Sequence, residues 1–350
     1  MHLEHLRIGN VRKIAAAEFY PSPGLNFFFG KNGSGKTSLL EAIYLLHAGK
    51  SFRSKNPSEL ISLSEDTLTV SGVVSNNCER TEIRVSKRKD LSRYKINDRN
   101  ILSASQLAMS LPVLLVNSDS FDVINGSPRI RRSIIDRTLF HVEPNYLELL
   151  IKFNKAAKQR TRLLKVRRSA TEMGYWDNEF ASNGLRVHHA RLNCVQHLNQ
   201  KLNERNLHLS YVPGWKGDLG LEEAIVQDHD KDFTTGRISS GPHKAEVLIE
   251  IDKKSASKFA SRGQIKTAIF SIMDVVSAYI AERCGWTPVF LIDDVSAELD
   301  ADSQSLVLNF VANTHAQAFI TALTDRDFNF PQRLLSSKTF HVEQGIIQAC

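Results

Sequence analysis

Several things are scarce in this chain of 350 residues. It has four cysteines, Cys78, Cys194, Cys284 and Cys350, and no two lie close in sequence. That spacing offers neither a disulfide framework nor a zinc motif. The twelve histidines are scattered too, and His188-His189, the adjacent pair, has no partner at ligand spacing. No structural metal is expected. Unbroken apolar runs are short: Leu111–Val116 and Val289–Ile292 fall far below the roughly 20 residues of a membrane span. Glu4, His5 and Arg7 have no apolar run behind them, so no secretory leader is expected. Repeats and low-complexity tracts are absent as well. The expectation is a soluble intracellular protein whose chemistry needs neither disulfides nor a metal centre of its own.

What is present is ordinary in bulk. A 42% hydrophobic and 24% charged composition predicts a folded chain, long enough for two or three domains. The net charge of +7 matters only where it is concentrated. Leu3, Leu6 and Ile8 among polar neighbours predict an opening hairpin, and Leu25–Phe29 a buried strand between Pro23-Gly24 and Gly30. Leu39, Leu40, Ile43 and Leu46 predict a helix over Ser38–His47. Leu68–Val74 and Glu82–Val85 predict antiparallel strands, and Leu111–Val116 a further strand. From Arg129 to about Glu204 the pattern is helical. Strand character returns at Glu246–Ile251, before an apolar helix over Gln264–Glu282 and strands at Val289–Ile292, Phe319–Leu323 and Thr339–Val342. The fold class is therefore α/β, a mixed sheet with helices, interrupted by an inserted all-helical arm. The expected boundaries are 1–125, 126–235 for the arm, and 236–350.

Gly30-Lys31-Asn32-Gly33-Ser34-Gly35-Lys36-Thr37 has the spacing of a phosphate-binding P-loop, set between a strand and a helix. Its glycines let backbone N–H groups curl around phosphate oxygens, and the helix start adds its positive dipole end. Lys36 is expected to reach the β- and γ-phosphates of ATP, and the Thr37 hydroxyl to ligate Mg²⁺. A P-loop needs an acid at the tip of a nearby strand, which Val289–Ile292 followed by Asp293-Asp294 supplies. Asp293 is expected to hold Mg²⁺ through water, and Asp294 to orient the attacking water. Two acids that merely cap a loop are the alternative reading, and the P-loop argues against it.

Ser261-Arg262-Gly263-Gln264 precedes the long apolar helix, and Ser296-Ala297-Glu298-Leu299-Asp300 follows the Asp pair. These stretches resemble the signature motif and D-loop of ABC-type ATPases. The resemblance implies an ABC-type P-loop ATPase head, in which the signature serine of one subunit completes the γ-phosphate site of another. Ser261, Gly263 and Gln264 would then be nucleotide ligands in trans. An uncapped helix start beside Gly263 is expected to form an anion site, idle until a second subunit docks. Transporter ATPases and SMC proteins share these motifs. SMC arms are far longer coiled coils, whereas transporter subunits usually have an early aromatic and a late histidine. Here Asn10-Val11-Arg12-Lys13 and Phe319–Leu323 stand at those places, and Arg12 is counted among the nucleotide-binding residues.

Over nearly its whole length the chain resembles the RecF family of bacterial recombination mediators. The resemblance lies in Gly30–Thr37, Gly126-Ser127-Pro128 with Arg131-Arg132 and Asp136, Gly241-Pro242-His243-Lys244, Ser261–Gln264, and Leu291–Asp294 running into Glu298–Asp300. It implies a cytoplasmic, nucleoid-associated DNA-binding protein that forms a homodimer on ATP. Family members act with RecO and RecR to load RecA at single-strand gaps or junctions, in repair, replication and the SOS response. Asp294 stands where transporter ATPases carry Glu, as in RecF-like heads, and implies slow hydrolysis.

Acid is missing from one more place. Lys152, Lys155, Lys158, Arg160, Arg162, Lys165, Arg167 and Arg168 follow one another with no carboxylate between. Lys155, Lys158, Arg162 and Lys165 share one helical stripe and are the expected DNA contacts, through the phosphate backbone rather than base edges. A solvated face is the alternative, although such faces usually mix signs. Arg129, Arg131 and Arg132 extend the patch or serve dimerisation or ATP sensing. Other readings of the whole are a DNA-binding scaffold with a vestigial ATP site, a transporter ATPase subunit, and a small-molecule kinase.

Overall fold

The computed structural model describes residues 1–54, 56–76, 79–166, 170–216, 218–294, 316–324 and 337–350. They form two compact units, Met1–Ser120 with Ile280–Cys350, and Phe121–Tyr279. The expected second boundary, 235/236, falls inside the second unit. Glu246–Ile251 stays there because it pairs with a strand of that unit, Leu207–Val212.

The first unit holds two six-stranded sheets. One is antiparallel throughout, in the order Ile14–Phe19, His2–Val11, Thr67–Asn76, Glu79–Arg88, Ser92–Ile96 and Arg99–Ile101. The other runs Ile346–Ala349, Ser337–Glu343, Leu25–Phe29, Ala318–Ala322, Val289–Ile292 and Val113–Val116. All its pairings are parallel except that of the Ile346–Ala349 edge. Parallel strands are covered on both faces, which is why Val289–Ile292 and Ala318–Ala322 are buried at every position.

Helix Lys36–Ala48 carries apolar residues on all sides and fills the core. Leu39, Leu40, Ile43 and Leu46 pack with Leu3, Leu6 and Ile8 from one sheet and Phe28, Leu291 and Phe319 from the other. Phe28 stacks on Phe340 at 4.8 Å between ring centroids and on Phe319 at 6.2 Å. Burial of each such side chain stabilises the fold by about 1.5–3 kcal/mol. The core thus fixes the strand ends from which the glycine loop and the Asp pair emerge.

The second unit is built on helices Pro128–Val142, Tyr146–Lys165 and Ala170–Leu202. It also holds an antiparallel sheet in the order Lys254–Ser255, Glu246–Ile251, Leu207–Val212. Leu207–Val212 was not among the expected strands, so the arm segment is helical with a strand set between its long helix and the short helices Leu221–Gln227 and His229–Thr235. The Asn199 side chain bonds both the carbonyl and the N–H of Leu209, at 2.8 and 2.9 Å, and fastens the long helix to this sheet. Helix Arg262–Cys284 is, by length and composition, the one described helix apolar enough to cross a membrane. Its polar residues are few and interspersed, so the count of unbroken runs passed over it. Of its apolar window 61% is buried within the protein, the habit of a core helix.

Candidate nucleotide site

Leu25–Phe29 delivers the chain into the loop at Gly30, whose φ is +156°. A Cβ there would stand 2.2 Å from the Val342 carbonyl oxygen, so any side chain would break the seat of the loop. The loop is held from below by the turn at Gly345, which donates its N–H to Ser34 O at 2.7 Å. Gly345 lies at φ +84°, and a Cβ on it would overlap the Lys13 carbonyl oxygen at 2.0 Å. Lys31, Asn32 and Gly33 are exposed at the rim, whereas Ser34, Gly35 and Lys36 are buried.

The Lys36 ammonium folds back into the loop and donates to Gly30 O at 2.6 Å and Lys31 O at 3.1 Å. Burial pushes its pKa down, and the carboxylates of Asp294 and Asp293 oppose that shift. Ser34 Oγ is buried without a hydrogen-bond partner. The helix that follows begins at Gly35 with no side-chain cap, which leaves its first N–H groups directed at whatever fills the loop.

Asp293 is set by three bonds. Its N–H donates to Val116 O at 2.9 Å, on the neighbouring parallel strand. Its Oδ1 accepts from Thr37 Oγ1 at 3.1 Å and from Thr321 Oγ1 at 2.9 Å. The Thr321 oxygen in turn accepts the Asp294 N–H at 2.7 Å. Burial raises the Asp293 pKa; the bonds from Thr321 and Thr37 lower it, and the Asp294 charge raises it further. Asp294 has φ +54°, a left-handed conformation costing on the order of 1–3 kcal/mol. Lys36, Thr37, Asp293 and Asp294 thus line one cleft of about 470 Å³. The expected D-loop, Ser296–Asp300, lies outside the described residues.

Arg12 lines the same cleft. Its Nε and Nη2 donate to Glu41 at 2.5 and 2.9 Å, a bidentate pair with a fully buried carboxylate on the P-loop helix. Ser51 Oγ also donates to Glu41, and Arg53 Nη1 lies 3.9 Å from it. Lys13 Nζ donates to Gly33 O at 2.9 Å. Thr321, Glu41 and Gly345 were not singled out from the sequence. Thr321 and Gly345 reach the site from distant segments, and Glu41 from the P-loop helix itself.

The signature residues belong to the second unit. The expectation of an uncapped helix start is corrected here. Ser261 Oγ accepts the Gln264 N–H at 3.3 Å, and the Gln264 side chain accepts the Ser261 N–H at 2.9 Å. This is a capping box, closed on itself and exposed to solvent. A Cβ on Gly263 would meet nothing within 4 Å.

The basic helix also divides. Lys158, Arg162 and Lys165 line one cleft and Lys155, exposed, lies outside it. Arg160 is no part of that face. It is buried, with Nε 2.6 Å from Asp177 and Nη1 2.8 Å from Asp232. Lys152 pairs with Glu148 at 2.6 Å, and Arg167 and Arg168 lie outside the described residues. Arg131 and Arg132 are likewise committed internally, Arg131 to Glu246 at 2.7 and 2.8 Å and Arg132 to the Ala245 carbonyl. They do not extend the basic face. Asp136 receives Arg191 at 2.8 and 3.0 Å and Tyr146 at 2.6 Å. Arg191 also holds Pro242 O at 2.7 Å, which ties the Gly126–Asp136 stretch to Gly241–Lys244.

The family described as RecF/RecN/SMC N terminal domain matches residues 2–348. The DNA replication and repair protein RecF of Vibrio vulnificus (strain CMCP6) is 34% identical over 358 residues, covering 99% of both chains. The chain belongs to the RecF family. RecF of Shewanella sp. (strain MR-4) is 32% identical, over 99% of this chain and 98% of its own. Among solved structures, the recombination mediator protein RecF-ATP of the RecFOR pathway superposes with a TM-score of 0.85, at 24% identity, over 100% of this chain and 97% of that one. An SMC head bound to the C-winged helix domain of ScpA gives 0.61 at 15% identity, over 100% of this chain and 97% of that one. The RecF-family fold is therefore an ABC-type head, as its motifs imply.

Proposed function

We propose that this RecF-family chain is an ATP-dependent DNA-binding protein that dimerises on ATP. It acts in the cytoplasm, at the nucleoid, in recombinational repair and replication at single-strand gaps, helping RecO and RecR to load RecA. The observation that carries this reading is a pair of unequal helix starts. One is a loop already shaped for a triphosphate, with Lys36 inside it. The other is a signature turn with no use for Gly263 inside its own unit.

The chemistry of the cleft fits the nucleotide and its metal. Thr37 Oγ1 and Asp293 Oδ1 are hard oxygen donors 3.1 Å apart, of the kind Mg²⁺ takes. Mg²⁺ bound there supplies charge neutralisation on the phosphates. Lys36 exchanges the Gly30 and Lys31 carbonyls for β- and γ-phosphate oxygens. The amides of Gly30–Thr37 cradle the remaining oxygens, and Arg12, held by Glu41, flanks the nucleotide. Asp294, pinned by Thr321, orients the attacking water. Across the dimer, Ser261 donates its O–H to the γ-phosphate while keeping the Gln264 N–H, and Gly263 leaves room for the approach. Closure depends on ATP because only the γ-phosphate adds these contacts to the dimer. Hydrolysis, slow and stimulated by DNA, releases it. Lys158, Arg162 and Lys165, which line one cleft, meet the DNA backbone.

Ser261→Arg tests the mechanism. The variant keeps its ATP affinity, measured by fluorescent-nucleotide titration, and loses the ATP-dependent dimer in light scattering. A dimer that survives the substitution overturns the shared-site reading.

A further inference from the structure

Gly241-Pro242-His243-Lys244 has no part in the nucleotide chemistry, yet the fold treats it with care. Gly241 N–H bonds Gly214 O at 3.0 Å, and Arg191 fixes Pro242 O. The His243 ring packs near Phe153 and Phe180, with burial pushing its pKa down to about 4. It is neutral at physiological pH. The residue that this scaffold leaves outside is Lys244, which is exposed.

Lys244 faces the cleft of about 860 Å³ that Lys158, Arg162 and Lys165 line from the basic helix. Arg237 stands on the same wall as Lys244. A Cβ on its neighbour Gly236 would lie 3.4 Å from Lys165 Cγ, so the two walls meet there. Arg237 and Lys244 also line an adjoining cleft of about 560 Å³ with Lys231. Among the described residues no carboxylate lines either cleft and none of these six cations forms an ion pair.

Two acids of the same segment, Asp232 and Asp228, are engaged within the fold, while Asp230, exposed, lines neither cleft. Asp232 is buried, taking Arg160 at 2.8 Å on one oxygen and the Ser239 N–H at 2.8 Å on the other. Asp228 takes the hydroxyl of Ser240 at 2.5 Å. Arg160 comes from the basic helix itself, so its pair with Asp232 locks the two walls together. Such segregation leaves unpaired cations on two facing walls, and mutual repulsion makes that arrangement unfavourable without an anion. Along the helix, Lys158, Arg162 and Lys165 span about 10 Å at ~1.5 Å per residue, too long for one phosphate group. A repeating polyanion suits them.

We propose that the two walls form one phosphate-backbone track for DNA, in which Arg237 and Lys244 oppose Lys158, Arg162 and Lys165, and that Gly241–Lys244 exists to aim Lys244 into it. The inference rests on the reading of this chain as a DNA-binding protein. It adds a second wall that the helical stripe alone does not contain, and it places Lys155 outside.

The test is binding of a gapped duplex in the presence of ATP, measured across salt concentrations, for Arg237→Ala, Lys244→Ala, Arg162→Ala, Lys155→Ala and, as an exposed control on another helix, Lys201→Ala. Each phosphate contact contributes about 0.9 to the slope of log affinity against log salt. Arg237→Ala, Lys244→Ala and Arg162→Ala each lower that slope by about 0.9, whereas Lys155→Ala and Lys201→Ala leave it unchanged. Lys244→Arg restores it. If Arg162→Ala lowers the slope and both Arg237→Ala and Lys244→Ala do not, the second wall is wrong while the helix reading stands. If no variant changes it, the DNA-contact reading itself has failed. All these side chains are exposed, so unchanged circular dichroism and nucleotide affinity separate lost contacts from lost folding.

Discussion

Two helices of this molecule begin where an anion is expected, and they begin differently. Lys36–Ala48 starts at Gly35 without a side-chain cap, buried, with a lysine folded into the loop before it. Arg262–Cys284 starts on the exposed Ser261–Gln264 capping box. A capping side chain on the first would occupy the space a phosphate needs. The box of the second contributes about 1 kcal/mol of helix stability. On the proposed shared-site reading, a start that binds alone keeps its amides bare, and one that binds only within a dimer satisfies itself first.

The largest effect expected from breaking this contrast comes from Lys36→Ala. Removing the one cation inside the loop lowers ATP turnover by about 10²–10³-fold, as losing a transition-state donor does, with phosphate release as the measurement. Turnover that persists would place hydrolysis elsewhere. Next comes Asp293→Asn in metal-free protein. Burial raises the folded pKa of Asp293, so the fold disfavours its ionised form. Its contribution to stability falls as pH rises from the unfolded carboxyl value, about 3.9, through the raised folded value, and stays low above it. Asn keeps the oxygen that Thr37 and Thr321 bond and cannot ionise. Thermal melts between pH 4 and 8 then show the variant more stable than the parent at neutral pH by about 2 °C, the difference vanishing toward acid. A parent that is the more stable at neutral pH contradicts the burial argument. The smallest effect sharpens the other half. Gly263→Ala stabilises the monomer toward urea by about 0.5–1 kcal/mol, because a helical glycine in open space gains from a methyl. The same methyl weakens the ATP-dependent dimer seen in light scattering. A monomer destabilised by it would mean that Gly263 serves its own unit.

Much of the site was legible because its motifs are local in sequence. Gly30–Thr37 and the acids after Val289–Ile292 are read from spacing, and parallel strands flanked by a P-loop leave few alternatives. Thr321 was not legible. It reaches Asp293 because Ala318–Ala322 pairs in parallel with Val289–Ile292, a register no short stretch announces. Ser261-x-x-Gln264 is itself the spacing of a capping box, so the cap could have been read, and the phosphate reading obscured it. In the basic helix, a count of charges could not separate Arg160 from its neighbours. Its partners Asp177 and Asp232 lie far along the chain, and only packing tells an inward cation from an outward one. The strand Leu207–Val212 alternates buried and exposed residues over too few positions to stand out against the helix before it.

The turn at Gly345 has a consequence for how the protein is made. Domains fold as they emerge, N-terminal parts first. Residues 30–37 leave the ribosome early, yet their seat consists of the Val342 carbonyl and the Gly345 amide. Until translation has passed residue 345, the loop lacks that floor, and a nascent or prematurely terminated chain holds the motif without its support. A motif recognisable at residues 30–37 therefore gains its full support only after residues 342–345 have been made.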